Sequence, residues 1–187
     1  MYGKLGHGNE NGHSTPKRVE ALVGLVVSQI ACGSRHTAVV TSPEGNLYTW
    51  GDNEAGTTGI GSREGHQYTP KLLERLSGKR VVQLSACGFH TGCLCDAGHG
   101  GEMELYTFGE GRYIMLLFLK GRVTSSFFVA NTSLAYLSTA IEGKFGRLGT
   151  GNERNCHTPH LVEAMVGKRP KQVSCGGFHT AVVTEGR

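Results

Sequence analysis

One short stretch occurs three times in the chain, and it constrains the fold more than any other feature. It reads CGSRHT at residues 32–37, ACGFHT at 86–91 and CGGFHT at 175–180. Each copy follows a Thr-Pro pair, and the histidine stands 20 residues after that proline in all three. A glycine-rich turn precedes each pair, at residues 3–6, 56–59 and 146–149. Three anchors in a fixed order at near-fixed spacing indicate tandem repeats.

Each repeat predicts about four short strands. In the first, residues 16–22 are an extended segment behind a proline, and residues 25–31 and 36–41 are apolar strands. Residues 43–46 (PEGN) supply turn residues, and residues 47–50 (LYTW) form an aromatic strand before Gly51. Short strands at this density, separated by glycine-rich turns, are typical of β-propeller blades. Glycine accounts for 29 of 187 residues, about twice its usual share, which fits this number of turns.

The repeats divide the chain into four parts. Residues 1–51 are the first repeat, 52–109 the second, 110–143 a non-repeat insert, and 144–187 a third repeat that stops before its closing aromatic strand. We therefore predict an all-β protein: a partial β-propeller of about three four-stranded blades, an incomplete ring, with an apolar insert of uncertain structure.

The insert departs from the repeat pattern, because removing residues 112–143 restores the spacing between the copies. Four interpretations stay open. A membrane-spanning helix is interrupted by Lys120 and Arg122, and a solvent-facing functional loop is rarely this apolar. The third is a hairpin or helix packed on a blade edge. The fourth, which we favour, is a non-native insertion such as an intron read in frame.

Taken together, these motifs resemble the regulator of chromosome condensation repeat family. The matching pieces are the Trp-Gly and Phe-Gly pairs at residues 50–51 and 108–109, the Gly-x-Leu-Gly turns, the Thr-Pro strands and the His-Thr segments. The resemblance implies a seven-bladed β-propeller, which three repeats cannot close, so we expect a fragment of a larger ring. It also implies multidomain relatives such as ubiquitin ligases, plant lipid-binding proteins and a plant ultraviolet photoreceptor.

The repeat positions supply the candidate structural residues. They are the turn glycines, the shared histidines and the aromatic-glycine pairs: Gly6, Gly33, His36, Trp50, Gly51, His90, Phe108, Gly109, Gly149, Gly176 and His179. Because equivalent positions fall in different blades, we do not expect the histidines to meet at one metal ion. Each imidazole is expected to satisfy backbone groups at the turn of its own blade. No phosphate-binding loop is present, and we predict no catalytic, cofactor or metal site.

Charge and cysteine content bear on the kind of partner and on the redox state of the thiols. The net charge is +4 without a run of like charges, and basic pairs at residues 17–18, 79–80 and 168–169 fit either solvated charge or a basic rim. Such a rim would touch nucleosomal DNA, acidic lipid or a partner protein. No signal peptide is predicted at the start of the chain. The six cysteines are expected to be free thiols, with Cys32 and Cys175 as small buried residues at one repeat position.

We therefore predict a protein-interaction or scaffold module without catalysis of its own. A protein partner, a cytoplasmic or nuclear location and no membrane span are expected. The alternative that the family implies is guanine-nucleotide exchange on a Ran-like small GTPase, with chromatin binding. Since repeat blades need neighbours to bury their faces, we expect the isolated chain to be marginally stable or prone to aggregation.

Overall fold

The computed structural model describes residues 2–62, 65–98, 101–111, 116–120 and 148–185. Within these ranges the secondary structure is almost entirely β, as predicted, with short 3-10 turns at Glu20–Leu22, Glu74–Leu76 and Glu163–Met165. The strands are β1 Val26–Cys32, β2 His36–Ser42, β3 Leu47–Asp52, β4 His66–Leu72, β5 Arg80–Cys87, β6 His90–Asp96, β7 Met103–Gly109, β8 Leu116–Lys120, β9 Cys156–Leu161, β10 Pro170–Cys175 and β11 Thr180–Thr184. In the described ranges no helix is both long and apolar enough to cross a membrane.

The strands form three sheets, which we call blades 1 to 3. Blade 1 has the order β1-β2-β3-β4, blade 2 the order β5-β6-β7-β9, and blade 3 the order β10-β11-β8. All neighbouring strands in blades 1 and 2 are antiparallel. The predicted partial propeller is therefore confirmed. The fourth strand of blades 1 and 2 comes from the following repeat, so each blade crosses a repeat boundary.

One sequence-based prediction, for residues 16–22, is wrong because the fourth strand of a blade comes from the following repeat. Residues 16–22 were expected to be an extended segment that counts as the first of four strands. Val19 is extended, but the segment holds no strand and ends in the 3-10 turn at Glu20–Leu22. Their equivalents β4 and β9 are strands because each pairs with the third strand of the preceding blade. Among the described residues, 16–22 pair with no strand edge.

Blade 3 takes its third strand from the insert. The third repeat lacks its closing strand, and β8 takes that place beside β11. The pairing is parallel, with Thr180 opposite Leu116 and Thr184 opposite Lys120, whereas the third strands of the other blades are antiparallel. Residues 112–115 and 121–143 of the insert lie outside the described residues, and its origin stays a prediction.

The core lies between the blades. β5 packs against β1 and β2, and β10 packs against β5 and β6. One buried cluster joins blades 1 and 2 and includes Val40, Leu47 and Phe108. A second cluster, with Leu94 and Val173, joins blades 2 and 3. Stability therefore depends on contacts between neighbouring blades, as in other repeat proteins.

One side of β1 is exposed, in contrast to the equivalent side of β10, which packs against blade 2. Val27 and Ile30 are 42% and 67% exposed, whereas Val173, the blade 3 counterpart of Ile30, is 2% exposed. The prediction that Cys32 is buried is wrong, since its side chain is exposed. The counterpart Cys175 packs against blade 2 and is buried, as expected.

Candidate functional site

Two of the shared histidines link neighbouring blades. His36 is buried in blade 1, and its Nε2 lies 2.8 Å from Oγ1 of Thr91 in blade 2. His90 in blade 2 is related in the same way to Thr180 in blade 3, at 3.0 Å. The expectation of a backbone partner at each histidine's own turn is therefore wrong for these bonds, because the partner is a hydroxyl on the next blade. Among the described residues no group of three or more His, Cys, Asp and Glu side chains is placed to hold a metal ion.

The environment of His36 favours a neutral imidazole. Burial lowers the pKa of His36 to about 4, although the charge of Asp52 acts in the opposite direction. Burial also lowers the pKa of His179. A neutral ring has one N–H and one lone pair on its two nitrogens, and the hydroxyl of Thr91 can bond to either form of Nε2. With its pKa well below neutrality, His36 fits a connecting role better than that of a general base.

Glycine beside the histidine makes room for the ring. A Cβ built on Gly33 or Gly176 would clash with the imidazole three residues later. The second copy has Cys87 at this position and avoids the clash with the imidazole in a different way. There β5 continues through Cys87, which pairs directly with His90, so that the turn is shorter.

The aromatic residues of the third strands lie against turn glycines. Gly6, with a φ of +74°, leaves only 2.8 Å between a built Cβ and Nε1 of Trp50. That nitrogen donates a hydrogen bond to the carbonyl oxygen of Lys4 at 2.8 Å. Gly59 has the same relation to Phe108, with 2.7 Å between its built Cβ and Cδ2 of the ring. The glycine-rich turns therefore cover the aromatic residues at short range, which a larger residue would prevent.

The glycines that follow the aromatic residues also need their special conformation. Gly51 and Gly109 have φ values of +112° and +111°. A Cβ on either would lie 2.7 Å from Cα of the shared histidine of the same blade. Gly149, in the third glycine-rich turn, has a φ of +69°. All three positions are in a backbone region that disfavours other residues.

A glutamine recurs seven residues before each histidine, at Gln29, Gln83 and Gln172, and was not among the residues predicted from the sequence. Gln29 donates from Nε2 to the carbonyl oxygen of Val82 and accepts from N–H of Leu84, both at 2.9 Å. Gln83 accepts from N–H of Val173 at 2.8 Å. Because the glutamine precedes the histidine by the same number of residues in every copy, the sequence already indicated a second recurring structural residue.

Three turns between paired strands lie side by side and form what we call the turn surface, residues 33–35, 88–89 and 176–178. The N–H of Ser34 donates to the carbonyl oxygen of Gly88 at 2.9 Å. A Cβ built on Gly88 would lie 2.5 Å from the carbonyl oxygen of Gly177, so these two turns are in close contact. The residues just before the histidines, Arg35, Phe89 and Phe178, therefore follow one another across adjacent blades.

The turn surface carries charge and aromatic rings together. The guanidinium carbon of Arg35 lies 4.3 Å from the ring centroid of Tyr2 and 5.3 Å from that of Phe89. These distances are those of cation–π contacts. Nη1 of Arg35 also lies 3.5 Å from Oδ2 of the buried Asp52. Phe178, at the far end of the row, is 58% exposed.

The cysteines are free thiols, as predicted. Burial raises the pKa of Cys175 to about 12. A hydrogen bond with Cys95, together with burial, raises the pKa of Cys93 well above its ordinary value. Because the thiolate is the nucleophile, Cys93 and Cys175 are unsuited to covalent chemistry in the folded chain.

Basic residues in or next to two of the basic pairs noted in the sequence form ion pairs with carboxylates. Nζ of Lys79 lies 2.6 Å from Oε2 of Glu104. Arg169 and Lys171 both contact Glu185, at 3.4 and 2.7 Å. These ion pairs offset part of the positive charge that a basic rim would need.

Comparison with known families identifies the repeat. The family model of the regulator of chromosome condensation (RCC1) repeat matches residues 1–40, 44–94 and 142–183. A second model of the same repeat matches residues 27–57. Residues 95–141, which include most of the insert, lie outside both matches.

Among curated proteins, the human E3 ubiquitin-protein ligase HERC2 is 33% identical over 98% of this chain. The ultraviolet-B receptor UVR8 of Arabidopsis thaliana is also 33% identical over 98% of the chain. The chain spans 4% of the length of the first and 44% of the second. The matched region is therefore less than half of either relative.

Solved structures show the same fold. Human WBSCR16 superposes with a TM-score of 0.62 and 22% identity, covering 98% of this chain and 38% of that one. Yeast RCC1 (Prp20), solved bound to Kap60, superposes with a TM-score of 0.54 and 19% identity, covering 84% of this chain and 30% of that one. A further structure with a TM-score of 0.54 and 21% identity is Prp20p of Saccharomyces cerevisiae, described with its binding to Gsp1p and histones, and the match covers 84% of this chain and 30% of that chain.

Proposed function

The chain belongs to the regulator of chromosome condensation repeat family, and from this premise we propose that it is a protein-interaction module. It presents the turn surface to a protein partner and performs no catalysis of its own. The relatives named as a ligase and a receptor are much longer than this chain. We therefore propose that the ligase activity of such relatives resides in parts of those proteins that this chain does not match.

The turn surface is the observation that carries this proposal. Arg35, Phe89 and Phe178 stand at one repeat position on three adjacent turns, and close backbone contacts hold those turns together. Arginine and aromatic residues are enriched among the residues that dominate binding energy at protein interfaces. A rigid sheet scaffold that presents such residues on turns is a common arrangement for recognition.

We place this activity inside the cell, in the cytoplasm or nucleus. The free state of all six cysteines supports a reducing compartment. Nucleosomal DNA and acidic lipid are weaker candidates for the partner, because the ion pairs of Lys79, Arg169 and Lys171 offset part of the basic charge.

Site-specific crosslinking tests the proposal. A photo-crosslinking amino acid replaces Phe178 in one variant and Val166 in another, because both side chains are 58% exposed. After irradiation in cells, we expect discrete protein adducts from position 178 that an added Arg35→Ala change removes. Equal adducts from positions 178 and 166, or adducts that Arg35→Ala leaves unchanged, would contradict a partner site at the turn surface.

Nucleotide exchange on a Ran-like small GTPase, together with chromatin binding, is the second candidate. It is favoured by the likeness to Prp20p, which was described with its binding to Gsp1p and histones. The test is the release of a fluorescent GDP analogue from such a GTPase with and without the chain. Accelerated release would support exchange. An unchanged rate, with crosslinking at position 178 intact, supports the interaction module alone.

A further inference from the structure

A cavity lies between blades 2 and 3, at the opposite end of the strands from the turn surface, because β5 and β10 begin beside it and end at that surface. Its volume is about 610 Å³, within the range of sites that bind small molecules. We call it the hairpin cavity. The side chains that matter below are the apolar Val82, Leu94 and Met103 and the charged Arg169, Lys171 and Glu185.

The corresponding position between blades 1 and 2 is closed. There the hairpin that joins β2 to β3 touches the start of β5, and the N–H of Val81 donates to the carbonyl oxygen of Gly45 at 3.0 Å. A Cβ built on Gly45 would lie 2.6 Å from Cγ of Arg80, so no space remains between hairpin and strand. Two junctions built on the same plan therefore differ at this place.

Two differences in sequence account for the opening. Pro170 takes the place of Val81, nine residues before the shared histidine, and a proline has no N–H to make the closing hydrogen bond. The hairpin of blade 2 is also longer, since its paired strand residues are eleven positions apart (94–105), against seven in blade 1 (40–47). The cavity is thus a property of the residues of blades 2 and 3 themselves.

One side of the cavity is apolar. Leu94 is buried in the cluster that joins blades 2 and 3, and Val82 packs against that cluster. Met103, half-buried at the start of β7, adds a flexible thioether side chain that adapts to irregular shapes. An apolar group placed against this surface would be removed from water, which is favourable.

The charged side of the cavity has more positive than negative charge. Nζ of Lys171 lies 2.7 Å from Oε1 of Glu185, and Nη1 of Arg169 lies 3.4 Å from Oε2 of the same carboxylate. Two cations and one anion leave one positive charge. The side chains of Arg169 and Lys171 are 64% and 61% exposed, so their further N–H donors can reach a second carboxylate. A single residual charge suits one carboxylate and not a polyanion.

The backbone at Arg169 is unusual. Its φ is +49°, in the left-handed region, whereas its counterpart Arg80 does not have a positive φ. Backbone strain of this kind is concentrated at functional sites, including ligand-binding ones. The carbonyl oxygen of Arg169 accepts from the N–H of Glu185 at 3.1 Å, so backbone and side chains both hold these two residues together.

We propose that the hairpin cavity binds a small organic acid with an apolar body. The apolar body lies against Val82, Leu94 and Met103, and the carboxylate accepts hydrogen bonds from Arg169 and Lys171. A small molecule fits because the cavity is of ordinary ligand size and has charge for one carboxylate. The site is separate from the turn surface and does not depend on the function proposed for that surface.

Hydrocinnamate, a phenyl ring on a short carboxylate chain, is the probe. Titration of the full chain is followed by calorimetry and by the amide NMR shifts of nitrogen-labelled protein. Hydrocinnamate should bind at least about tenfold more tightly than acetate, which lacks the apolar body. It should bind about three- to fivefold more tightly than hydrocinnamyl alcohol, which lacks the charge. The largest shifts should fall at the first residues of β5 and β10.

Charge variants locate the carboxylate. Lys171→Gln should weaken hydrocinnamate binding about three- to fivefold and leave the alcohol unaffected. Lys168→Gln is the matched control, because it removes the same charge from an exposed lysine outside the cavity, and it should bind like the unmodified chain. Glu102, an exposed residue of the hairpin, also lines the cavity. Glu102→Gln should therefore strengthen binding of the acid alone.

Four results would overturn the proposal. Absence of hydrocinnamate binding at about 10 mM would exclude the site. Equal affinity for acid and alcohol, or equal weakening by Lys171→Gln and Lys168→Gln, would exclude a carboxylate site at these residues. Shifts confined to residues outside the cavity would place binding elsewhere. Tighter binding of a peptide that ends in phenylalanine would indicate a protein partner instead of a small acid. Crosslinking at position 178 is independent of all four.

Discussion

His36 and Thr91 lie on neighbouring blades, and Nε2 of the histidine is 2.8 Å from Oγ1 of the threonine. Thr91→Val removes the hydroxyl while keeping the side-chain size, so that the buried imidazole nitrogen loses its partner. We expect this change to lower the free energy of unfolding by about 1–3 kcal/mol, measured by urea denaturation. Thr91→Ser, which keeps the hydroxyl, should lose less. Equal losses for the two variants would argue against the bond.

Acid should destabilise the chain through the same histidine. Burial holds the pKa of His36 at about 4 in the folded chain, whereas the unperturbed value is 6.5. Between these pH values the unfolded state binds more protons, so stability is full above 6.5 and declines as the pH falls toward 4. The contribution of His36 to this loss is up to about 3 kcal/mol.

The check is a series of urea unfolding curves across that pH window for the unmodified chain and for His36→Gln. The variant keeps a polar group beside Thr91 but cannot titrate there. His179 and other groups remain in both proteins, so the difference between the two curves isolates His36. A slope with pH that is the same in both proteins would show that His36 does not titrate as its burial predicts.

Alanine substitutions at two glycines distinguish the energetic cost of backbone strain from that of steric overlap. Gly51 and Gly24 both have positive φ, at +112° and +87°. A Cβ on Gly24 meets nothing within 4 Å, whereas one on Gly51 lies 2.7 Å from Cα of His36. Gly24→Ala should therefore cost only the conformational strain, roughly 1–2 kcal/mol. We expect Gly51→Ala to cost about 1–3 kcal/mol more by thermal unfolding, and equal losses would exclude the overlap.

The thiols should differ sharply in their reactivity. Cys32 is exposed, whereas Cys93, Cys95 and Cys175 are buried, and burial raises the pKa of Cys175 to about 12. In dilute protein, iodoacetamide should modify Cys32 first, and the three buried thiols should react only after urea is added. Mass spectrometry of peptides after short labelling times measures the order. Early modification of Cys175 would contradict the packing of blade 3 on blade 2.

The repeated sequence motifs were enough to predict the propeller fold and most of its strands, because each blade reuses the same turns and apolar runs. They could not show that a Thr-Pro segment becomes a strand only against the preceding blade. For that reason residues 16–22 were predicted to count as a strand although they hold none. The exposure of Cys32 has the same origin, since burial at its position is supplied by a neighbouring blade and not by the repeat itself.

The role of the histidines was predicted only in outline. Their separation into different blades follows from the repeat, but their partners do not. The bond from His36 to Thr91 joins residues 55 positions apart in the chain, and that from His90 to Thr180 spans 90. Spacing within one repeat carries no information about such distances. The glutamines, by contrast, keep a constant offset from the histidine and were detectable from the sequence alone.

Strands β4 and β9 belong to a later repeat than the other strands of their blades, and this affects how the chain responds to cleavage or deletion. The second and third repeats each contribute their first strand to the blade before them. A protease that cuts the connection after Asp52 would therefore leave β4 hydrogen-bonded to β3 across the break. The fragments would separate only on denaturation. By contrast, deletion of one such repeat disrupts two sheets. The sheet of the deleted repeat is lost, and the preceding sheet loses its outermost strand.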